Sequence, residues 1–342
     1  MGVLLTPIIH KKELSLDDIR GKSFAVDAFN IIYQFLSLIR TRDGTPLKDS
    51  GGNITSHLVG LAYRTTRLIS KYNIRLVFVF DGRPPELKRN EITKRRKARK
   101  KARLEYEEAL ARGDMSDAIS KAVMTSRLDE QALEDARRLL ELLGIPWIEA
   151  PSEGEAQAAL LCKRGEVWAS NSRDYDSLLF GTPRLLRYLT ISGEEWLPSK
   201  GRARKLIPEL IELESFLEEL GISREQLIDL SILVGTDFNE GIKGIGPKTA
   251  LKLIREHGTL EELPEELFEK QPDNYEEIRN FYINPPVNMD YEIRYGDPDK
   301  PGLIEFLVNE REFSLTRVER IIDRLIQANK QKSLTEYFGG KQ

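Results

Sequence analysis

The chain has 342 residues, 40% of them hydrophobic, which is enough for one large domain or two modest ones. Its net charge is only −3, so the composition by itself does not indicate a nucleic-acid-binding protein. The single cysteine, Cys162, excludes a disulfide framework and a cysteine-based zinc site, and it fits an intracellular protein. No apolar run is long enough to cross a bilayer, so no membrane span is expected.

The first part of the chain alternates between strand and helix patterns. In order, the patterns predict a buried strand over 22–27 that ends on Asp27, a helix over Phe29–Ile39, a loop over 41–53, a helix capped by Thr55 or Ser56, and a strand over 74–80 that ends next to Asp81. This alternation predicts an α/β fold with a mostly parallel sheet and helices on both faces.

A strongly basic segment follows. Residues 88–103 contain ten Lys or Arg among sixteen residues, opposed only by Glu91. A helix with charge on every side cannot be an ordinary core helix. It is either a solvated or disordered charge block, or one wall of an electrostatic groove for a phosphate backbone.

Two apolar runs in the middle of the chain, Ile145–Ile148 and Glu166–Ala169, read as strands that lead into acids. Glu153 and Glu155 stand at the head of a helix after the first strand. Asp174 and Asp176 come just past the second strand. In open α/β sheets, ligand sites lie outside the carboxyl ends of the strands.

Each acid also has a structural interpretation. Glu155 could complete a capping box with Ser152, Glu153 could favour the helix dipole, and Asp174 could be a turn residue. Seven acids at strand ends are harder to explain singly, because unpaired carboxylates repel each other at close range. Mg²⁺ or Mn²⁺, which prefer oxygen ligands, would hold such a set together. The seven are Asp27, Asp81, Glu153, Glu155, Asp174, Asp176 and Asp237.

The C-terminal half is predicted to be mainly helical. The patterns give a helix over 126–143, strands over Leu185–Leu189 and around Trp196, helices over Leu206–Leu220, Gln226–Val234 and Leu315–Ala328, and an irregular acidic stretch over 261–312. The run Gly241–Ala250 has the helix-hairpin-helix signature, in which Gly244 and Gly246 permit a tight turn. The amides that open the next helix, with Lys248, can bind a phosphate; the alternative is an ordinary αα-turn.

The last residues form a separate motif. Leu334, Tyr337 and Phe338 have the i, i+3, i+4 spacing of one helical face. They predict a short exposed anchor for a partner's pocket, or else a frayed end that packs on its own domain.

The residue inventory favours one reaction class. The three histidines are scattered, and neither a Ser or Cys nucleophile motif nor a Walker-type loop is present. A carboxylate cage for two metals beside a basic helix indicates metal-dependent hydrolysis of phosphodiesters in a nucleic acid.

Six segments, in this order and spacing, resemble the flap endonuclease family of structure-specific 5′ nucleases, and most closely its archaeal type: VDAFNIIYQFL, VFVFDGRPPELK, EAPSEGEAQAA, SRDYDSLLFG, LVGTDF and GIKGIGPKTA. The resemblance covers essentially the whole chain. It implies a PIN-like nuclease core with a helical arch over the active site, and a monomer in the cytoplasm or nucleoid of an archaeon. It also implies 5′ flap endonuclease and 5′–3′ exonuclease activity on DNA junctions, in Okazaki fragment maturation and base excision repair.

The resemblance also assigns roles to the matching residues. Asp27, Asp81, Glu153 and Glu155 would serve mainly one Mg²⁺, and Asp174, Asp176 and Asp237 mainly the other, with Glu155 shared and Mn²⁺ able to substitute. Lys88 and Arg95 would contact the scissile phosphate from the base of the arch. Gly2 would be the processed N-terminus near the site.

Other residues would hold the DNA. Tyr33 would stack on an unpaired base, unless it is only a core tyrosine, and Thr55, Arg311 and Arg317 would hold a one-nucleotide 3′ flap. The hairpin loop would hold the uncleaved duplex strand, with a K⁺ ion on its carbonyls, through Gly244, Gly246, Lys248 and Thr249. The tail would bind the sliding clamp PCNA through Gln331, Leu334, Tyr337 and Phe338.

The expected organisation is a single nuclease domain over 1–328 and a clamp-binding tail over 329–342. Within the domain, we expect an N-terminal part over 1–100, an arch over about 88–128, an internal part over 129–260 and a C-terminal part over 261–328. The alternatives are a clamp-recruited junction-binding protein without nuclease activity and a related repair or exonuclease member of the superfamily. The complete acid set argues against the first, and the short chain after the core argues against the second.

Overall fold

A seven-stranded mixed sheet forms the centre of the protein. The computed structural model describes residues 2–41, 44–114, 117, 121, 130–190, 193–197 and 202–339, and the side chains of residues 191–205 and 331–342 lie outside this part. The strands are β1 (Lys12–Glu13), β2 (Ser23–Asp27), β3 (Arg75–Phe80), β4 (Trp147–Glu149), β5 (Ala169–Asn171), β6 (Arg184–Arg187) and β9 (Glu209–Glu212), with β7 (Gly193–Leu197) and β8 (Arg202–Leu206) forming a separate antiparallel pair.

The strand order is β1-β9-β6-β5-β2-β3-β4. The five strands from β6 to β4 run parallel, whereas β9 is antiparallel to β6 and β1 is antiparallel to β9. The register aligns Asp27 with Val79 of β3, and Val26 with Asn171 of β5. The carboxyl ends of β2, β3 and β5 therefore meet at one edge of the sheet.

Helices cover both faces of the sheet. They are α1 (Ala28–Leu38), α2 (Ser56–Gly60), α3 (Thr66–Tyr72), α4 (Arg89–Ala111), α5 (Glu130–Leu142), α6 (Gly154–Lys163), α7 (Asp176–Leu179), α8 (Leu213–Leu220), α9 (Arg224–Val234), α10 (Pro247–His257), α11 (Glu265–Phe268), α12 (Tyr275–Ile283), α13 (Lys300–Leu303) and α14 (Leu315–Gly339). A π-helical turn, Leu61–Thr65, joins α2 to α3, and another, Ile304–Glu310, follows α13.

Alternating side chains of β3 show why both faces are covered. Phe78 and Phe80 belong to the largest apolar cluster, with α1, α3, α5 and α14. Val77 and Val79 point the other way, into a cluster with α6. Because successive strand residues face opposite sides, a continuous apolar run such as this one is buried on both sides. A third cluster joins α7–α10 to α12.

Two of the predicted element boundaries are wrong. The strand predicted over Glu166–Ala169 instead occupies Ala169–Asn171. Hydrogen bonds reduce the cost of burying polar residues in this strand: Ser170 Oγ lies 2.7 Å from Thr182 Oγ1, and Asn171 Nδ2 donates to the Leu186 carbonyl at 2.7 Å, although Asn171 Oδ1 has no partner. The helix predicted over Leu206–Leu220 is two elements, β9 and α8, because Leu210 and Ile211 pair with β6. A short apolar run does not distinguish strand from helix.

Predictions near the helix ends also need correction. Thr55 is the N-cap residue of α2, as predicted, but its side chain makes no capping bond, and Ser56 Oγ donates to the Ile39 carbonyl. The stretch over 261–312 is not irregular throughout, since α11, α12, α13 and a π-helical turn lie there. The buried apolar residues of these helices, such as Ile278 and Tyr282, are one helical turn apart. Acids next to them in the sequence, such as Glu277, obscure this pattern.

The predicted arch and tail are only partly described. Helix α4 carries the basic segment, while residues 115–129 lie outside the described part except for 117 and 121. The described part of the predicted helix over 126–143 is α5 (Glu130–Leu142), and residues 126–129 lie outside the described residues. Helix α14 does not end at Ala328 but continues to Gly339. The side chains of Gln331, Leu334, Tyr337 and Phe338 lie outside the described residues.

Candidate active site

Strands bring most of the predicted acids to the carboxyl edge of the sheet. The prediction that Asp237 follows a strand is wrong, because it follows helix α9 (Arg224–Val234). Asp27 ends β2 and is the N-cap of α1, where its Oδ1 accepts a hydrogen bond from the Asn30 amide at 2.9 Å. Asp81 follows β3, and its Oδ1 accepts from the Gly154 amide at 2.7 Å. This bond joins the end of β3 to the first residue of α6 and so brings Asp81 next to Glu153.

Two glycines allow this close approach. A Cβ atom on Gly154 would lie 2.7 Å from Asp81 Oδ1, and one on Gly82 would lie 2.1 Å from the Ala150 carbonyl oxygen. Any larger residue would therefore push the β3 end away from the start of α6. The glycines of SEGEA and FDGRP are needed to bring the acids together.

Glu155 does not complete a capping box with Ser152. The Ser152 hydroxyl is buried without a hydrogen-bond partner, and Glu153 is the N-cap residue of α6 without a capping bond. Glu155 Oε1 instead accepts hydrogen bonds from Ser172 Oγ at 2.8 Å and Ser177 Oγ at 3.0 Å. These bonds aim Glu155 at the segment that carries Asp174 and Asp176.

Burial and mutual repulsion raise the pKa of several of these acids. The pKa of Asp27 rises to about 8, mainly through burial and then through the charge of Asp81. Burial and Asp237 raise the pKa of Asp176 to about 7, and burial and Glu153 raise that of Asp81 to about 6. The pKa of Glu155 lies well above its usual range because of burial and Asp176. The positive charges next to these acids are therefore too few to balance their negative charges.

Lys88 and Arg95 supply part of that charge. Lys88 Nζ donates to Glu153 Oε2 at 2.6 Å and lies 3.3 Å from Asp237 Oδ2. Arg95 Nη2 contacts both oxygens of Asp237, at 2.8 and 2.9 Å. Burial opposes ionisation of Asp237, but these two cations hold its pKa below the usual range. Burial would likewise lower the pKa of Lys88, yet Glu153 and Asp237 raise it instead.

The N-terminus packs against the same acids. The Val3 amide donates to Asp176 Oδ1 at 2.8 Å, and a Cβ atom on Gly2 would lie only 2.3 Å from Asp176 Oδ2. A side chain at position 2 would have to displace the Asp176 carboxylate, so Gly2 lies next to the site, as predicted.

The donor set fits hard divalent cations. It consists of carboxylate oxygens, most of them buried, and the pKa values of four of the seven acids are raised. Such oxygens are preferred by Mg²⁺ and Mn²⁺. Among the residues that the structure describes, no three His, Cys, Asp or Glu side chains are already arranged to hold a metal ion. Lys88, Arg95 and neighbouring hydroxyl and amide groups occupy several of the oxygens.

Four residues at the site were not predicted from the sequence. Ser172 and Ser177 bind Glu155, and Asn30 Nδ2 donates to Asp174 Oδ2 at 3.0 Å. The ring of Tyr282 packs on Phe180, just after α7, and on Phe238, next to Asp237. The two serines lie within five residues of Asp174 or Asp176, which was an available signal. Nothing in the sequence connects Tyr282 to a site formed by residues 27–237.

The hairpin predicted over Gly241–Ala250 connects α9 to α10. Gly244 has φ +90°, which favours glycine, and Gly246 is the N-cap of α10 ahead of Pro247. A Cβ atom at Gly244 or Gly246 would meet no other atom within 4 Å, and Lys248 and Thr249 are exposed. The amides at the start of α10 therefore face open space that a phosphate could enter.

The remaining predicted DNA contacts lie in varied environments. Tyr33 is half-buried on α1, and Thr55 is buried. Arg311 holds both oxygens of Asp135 at 2.9 Å, while Arg317 is exposed and lies near Tyr63. The ring of Tyr63 stacks on Phe313, so Arg317 lies beside an aromatic pair.

Comparisons with known proteins identify the relatives of this arrangement. The XPG N-terminal domain family matches residues 1–102, and the XPG I-region family matches residues 144–237. Flap endonuclease 1 of Pyrococcus abyssi is 50% identical over 99% of this chain and 98% of its own length. The structure of flap endonuclease-1 from Methanococcus jannaschii matches with a TM-score of 0.77 and 41% identity, over 97% of this chain and all of that one.

A more distant structure, the catalytic core of Rad2 in complex with a DNA substrate, matches with a TM-score of 0.69 and 26% identity, over 94% of this chain and 97% of that one. The fold and the acid-lined sheet edge define a PIN-like, structure-specific nuclease, which is a hydrolase. Nucleases of the XPG family depend on metal. The chain belongs to the flap endonuclease 1 family. Among the described residues, no helix is long and apolar enough to span a membrane.

Proposed function

We propose that the protein cleaves 5′ flaps at single-strand/double-strand DNA junctions with two Mg²⁺ ions, which Mn²⁺ can replace, in Okazaki fragment maturation and base excision repair. The observation that carries the proposal is the set of seven acids at this sheet edge, four of them with raised pKa values, against which the described residues set the side chains of Lys88 and Arg95. A junction-binding protein without nuclease activity would have no use for this costly arrangement, and that alternative is not supported.

Two groups of acids would hold the cations. Asp27, Asp81 and Glu153 would serve mainly one ion, Asp174, Asp176 and Asp237 mainly the other, and Glu155 both. Bound cations of this kind activate a water molecule and stabilise the leaving oxygen of a phosphodiester. Ser172 and Ser177 keep Glu155 aimed at both groups through their hydrogen bonds to its Oε1.

Lys88 and Arg95 would exchange partners during the reaction. Both now neutralise carboxylates, Lys88 at Glu153 and Arg95 at Asp237. Once those carboxylates have cations, the two side chains are free to bind the scissile phosphate and to stabilise the charge that develops on it. Lys88 and Arg95 both lie near the start of the basic segment, at the base of the proposed arch. A small movement of their side chains would therefore bring them to the scissile phosphate.

The DNA on either side of the site would be held by non-catalytic residues. The amides after Gly244 and Gly246, with Lys248 and Thr249, would bind a backbone phosphate of the uncleaved strand without reading its sequence. A K⁺ ion could bind the carbonyls of the same loop. Tyr33 would stack on an unpaired base, and Thr55, Arg311 and Arg317 would hold a short 3′ flap.

The chain would act as a monomer with one nuclease domain over 1–328 and a tail over 329–342. Gln331, Leu334, Tyr337 and Phe338 would anchor the tail to the sliding clamp PCNA. Phe338→Ala should abolish clamp binding in a surface-immobilised binding assay and leave clamp-free cleavage unchanged. Equal clamp affinity before and after the substitution would remove the tail from the proposal.

Single-turnover cleavage of a labelled double-flap DNA tests the main proposal. The reaction is run with Mg²⁺, beside equimolar single strand and plain duplex as controls. We expect selective release of the 5′ flap near the junction. Binding of the junction without any cut, in either Mg²⁺ or Mn²⁺, would overturn the proposal and make the junction-binding alternative the leading one.

A further inference from the structure

Two side-chain amides on α1 form a chain of hydrogen bonds that ends at the acidic site. Asn30 and Gln34 are four residues apart and therefore share one face of the helix. Gln34 Nε2 donates to Asn30 Oδ1, and Asn30 Nδ2 donates to Asp174 Oδ2 at 3.0 Å. The main-chain amide of Asn30 also donates to Asp27 Oδ1 at 2.9 Å. Asn30 thus contacts one acid from each of the two proposed groups.

The chemistry of the three partners fixes the direction of this chain. An ionised Asp174 can only accept hydrogen bonds, so Asn30 must turn its nitrogen toward it. The Asn30 oxygen then faces Gln34, which must present its own nitrogen. Gln34 is 8% exposed, and its Oε1 is buried without a partner. A buried amide oxygen without a hydrogen-bond partner costs free energy. The side chain of Gln34 bears this cost while its nitrogen donates to Asn30.

We propose that Asn30, oriented by Gln34, is a positioning residue that holds Asp174 ready to bind a divalent cation. The donor takes up Asp174 Oδ2 and leaves Oδ1 for the ion. It also stabilises the charge of Asp174, which Asp27 and Glu155 repel. Residues that orient metal ligands in this way typically alter metal affinity or activity by roughly 10- to 100-fold. This inference rests on the proposed metal-dependent function.

A purely structural role makes a different prediction. If Asn30 and Gln34 only fill space on α1, their replacement lowers the stability of the metal-free protein and leaves its cation affinity unchanged. Cation affinity and metal-free stability must therefore be measured separately, and neither measurement requires cleavage.

The test is a Mn²⁺ titration of the full chain without DNA, followed by the electron paramagnetic resonance signal of the free ion. Thermal melting in EDTA reports stability. We expect Asn30→Ala to weaken the affected Mn²⁺ site roughly 10- to 100-fold. Gln34→Glu keeps the shape but places an acceptor beside Asn30, so Asn30 turns its nitrogen away from Asp174; we expect most of the same loss at neutral pH.

Two further variants serve as controls. Gln34→Met keeps the bulk of the side chain but exerts no preference on the Asn30 amide, and should weaken Mn²⁺ binding less than Gln34→Glu does. Ser37 lies on the same helix and donates to the Tyr33 carbonyl, at 2.8 Å. Ser37→Ala should bind Mn²⁺ as the parent does.

The outcomes separate this inference from the proposed function. Parent-like Mn²⁺ affinity in both Asn30→Ala and Gln34→Glu would overturn the positioning role, whether or not their melting temperatures fall. A parent protein that binds no Mn²⁺ and cleaves no flap would instead overturn the proposed function. If the parent binds and cleaves while Gln34→Met loses as much affinity as Gln34→Glu, Gln34 acts by packing and not by orienting Asn30.

Discussion

Two groups of charges in this protein are built on opposite principles. At the sheet edge, seven acids are opposed by Lys88 and Arg95. In the second group, Arg279 on α12 joins Asp229 on α9 to Glu261, which follows α10. Arg279 contacts both oxygens of Asp229, at 2.6 and 2.9 Å, and both oxygens of Glu261, at 2.7 and 3.0 Å.

The difference is visible in the acids themselves. Hydrogen bonds from Arg279 lower the pKa of Glu261 to about 2. Burial raises the pKa of Asp229, which is less exposed than Glu261, although Arg279 opposes that shift. At the sheet edge, burial raises the pKa values, and repulsion between neighbouring carboxylates raises them further. Acids that share an arginine hold helices together, whereas buried acids that repel one another require a cation.

The largest expected effect is the loss of cleavage when an edge acid is removed. Asp174→Ala should reduce single-turnover cleavage of a 5′ flap by roughly 10³-fold or more, since a cation ligand is lost. Junction binding, measured by fluorescence anisotropy, should change little. The melting temperature in EDTA should not fall, because a repelling charge has gone. Asp323→Ala, an exposed acid on α14, is the matched control. Full activity of Asp174→Ala would refute the metal-site assignment.

Loss of a counter-charge should have the next largest effect. Arg95→Ala should slow the chemical step by roughly 10²- to 10³-fold at saturating enzyme, as expected when a group that stabilises transition-state charge is removed. The matched control is Arg96→Ala. It removes the same charge from the same helix, but Arg96 is exposed and has no described contact with Asp237. If Arg96→Ala slows single-turnover cleavage as much as Arg95→Ala does, general electrostatics explains the effect and the particular role of Arg95 is lost.

The arginine-centred group should respond in stability and not in catalysis. Arg279→Met leaves Asp229 buried without its partner, which typically costs about 3 kcal/mol or more. Urea unfolding should show that loss, while cleavage per folded molecule at moderate temperature stays at the parent rate. A slow but fully stable Arg279→Met protein would mean that the two groups of charges are not separate in function.

The sequence predicted the acids better than it predicted their surroundings. Asp27, Asp81 and Asp176 follow strands, and parallel strands carry whatever follows them to one edge. That rule needs no knowledge of contacts. The partners of the acids could not be found in this way, because Asn30 and Tyr282 reach the site through helix packing. Their positions depend on how α1 and α12 lie against the sheet.

The fold errors have a similar origin. The strand at Ala169–Asn171 contains Ser and Asn, which a pattern of apolar residues excludes, and their hydrogen bonds to Thr182 and Leu186 reduce the cost of burial. The segment Glu209–Glu212 was predicted as helix because its apolar residues fit either period. Its pairing with β6, a partner distant from the local pattern, decides the outcome.

The smallest predicted effect is a pH dependence of stability in the absence of metal. The folded-state pKa is about 8 for Asp27 and about 7 for Asp176, far above the usual value of 3.8. Between pH 5 and 8 the folded protein therefore holds more protons than the unfolded chain, and its stability falls as the pH rises. In EDTA the free energy of unfolding should drop by more than about 1 kcal/mol over this window.

A comparison of the parent with Asp27→Asn separates the contribution of Asp27 from that of every other titrating group. The two proteins share all the other groups, including the three histidines. Its stability should fall less between pH 5 and 8 than that of the parent, and saturating Mn²⁺ should flatten the curve of the parent by supplying the missing positive charge. Identical slopes for the parent and Asp27→Asn in EDTA would show that Asp27 is not strained by its neighbours. The contrast with the Arg279 group would then rest on geometry alone. The Arg279 group itself should lose stability at low pH, because Glu261 takes up a proton there and its bond to Arg279 weakens.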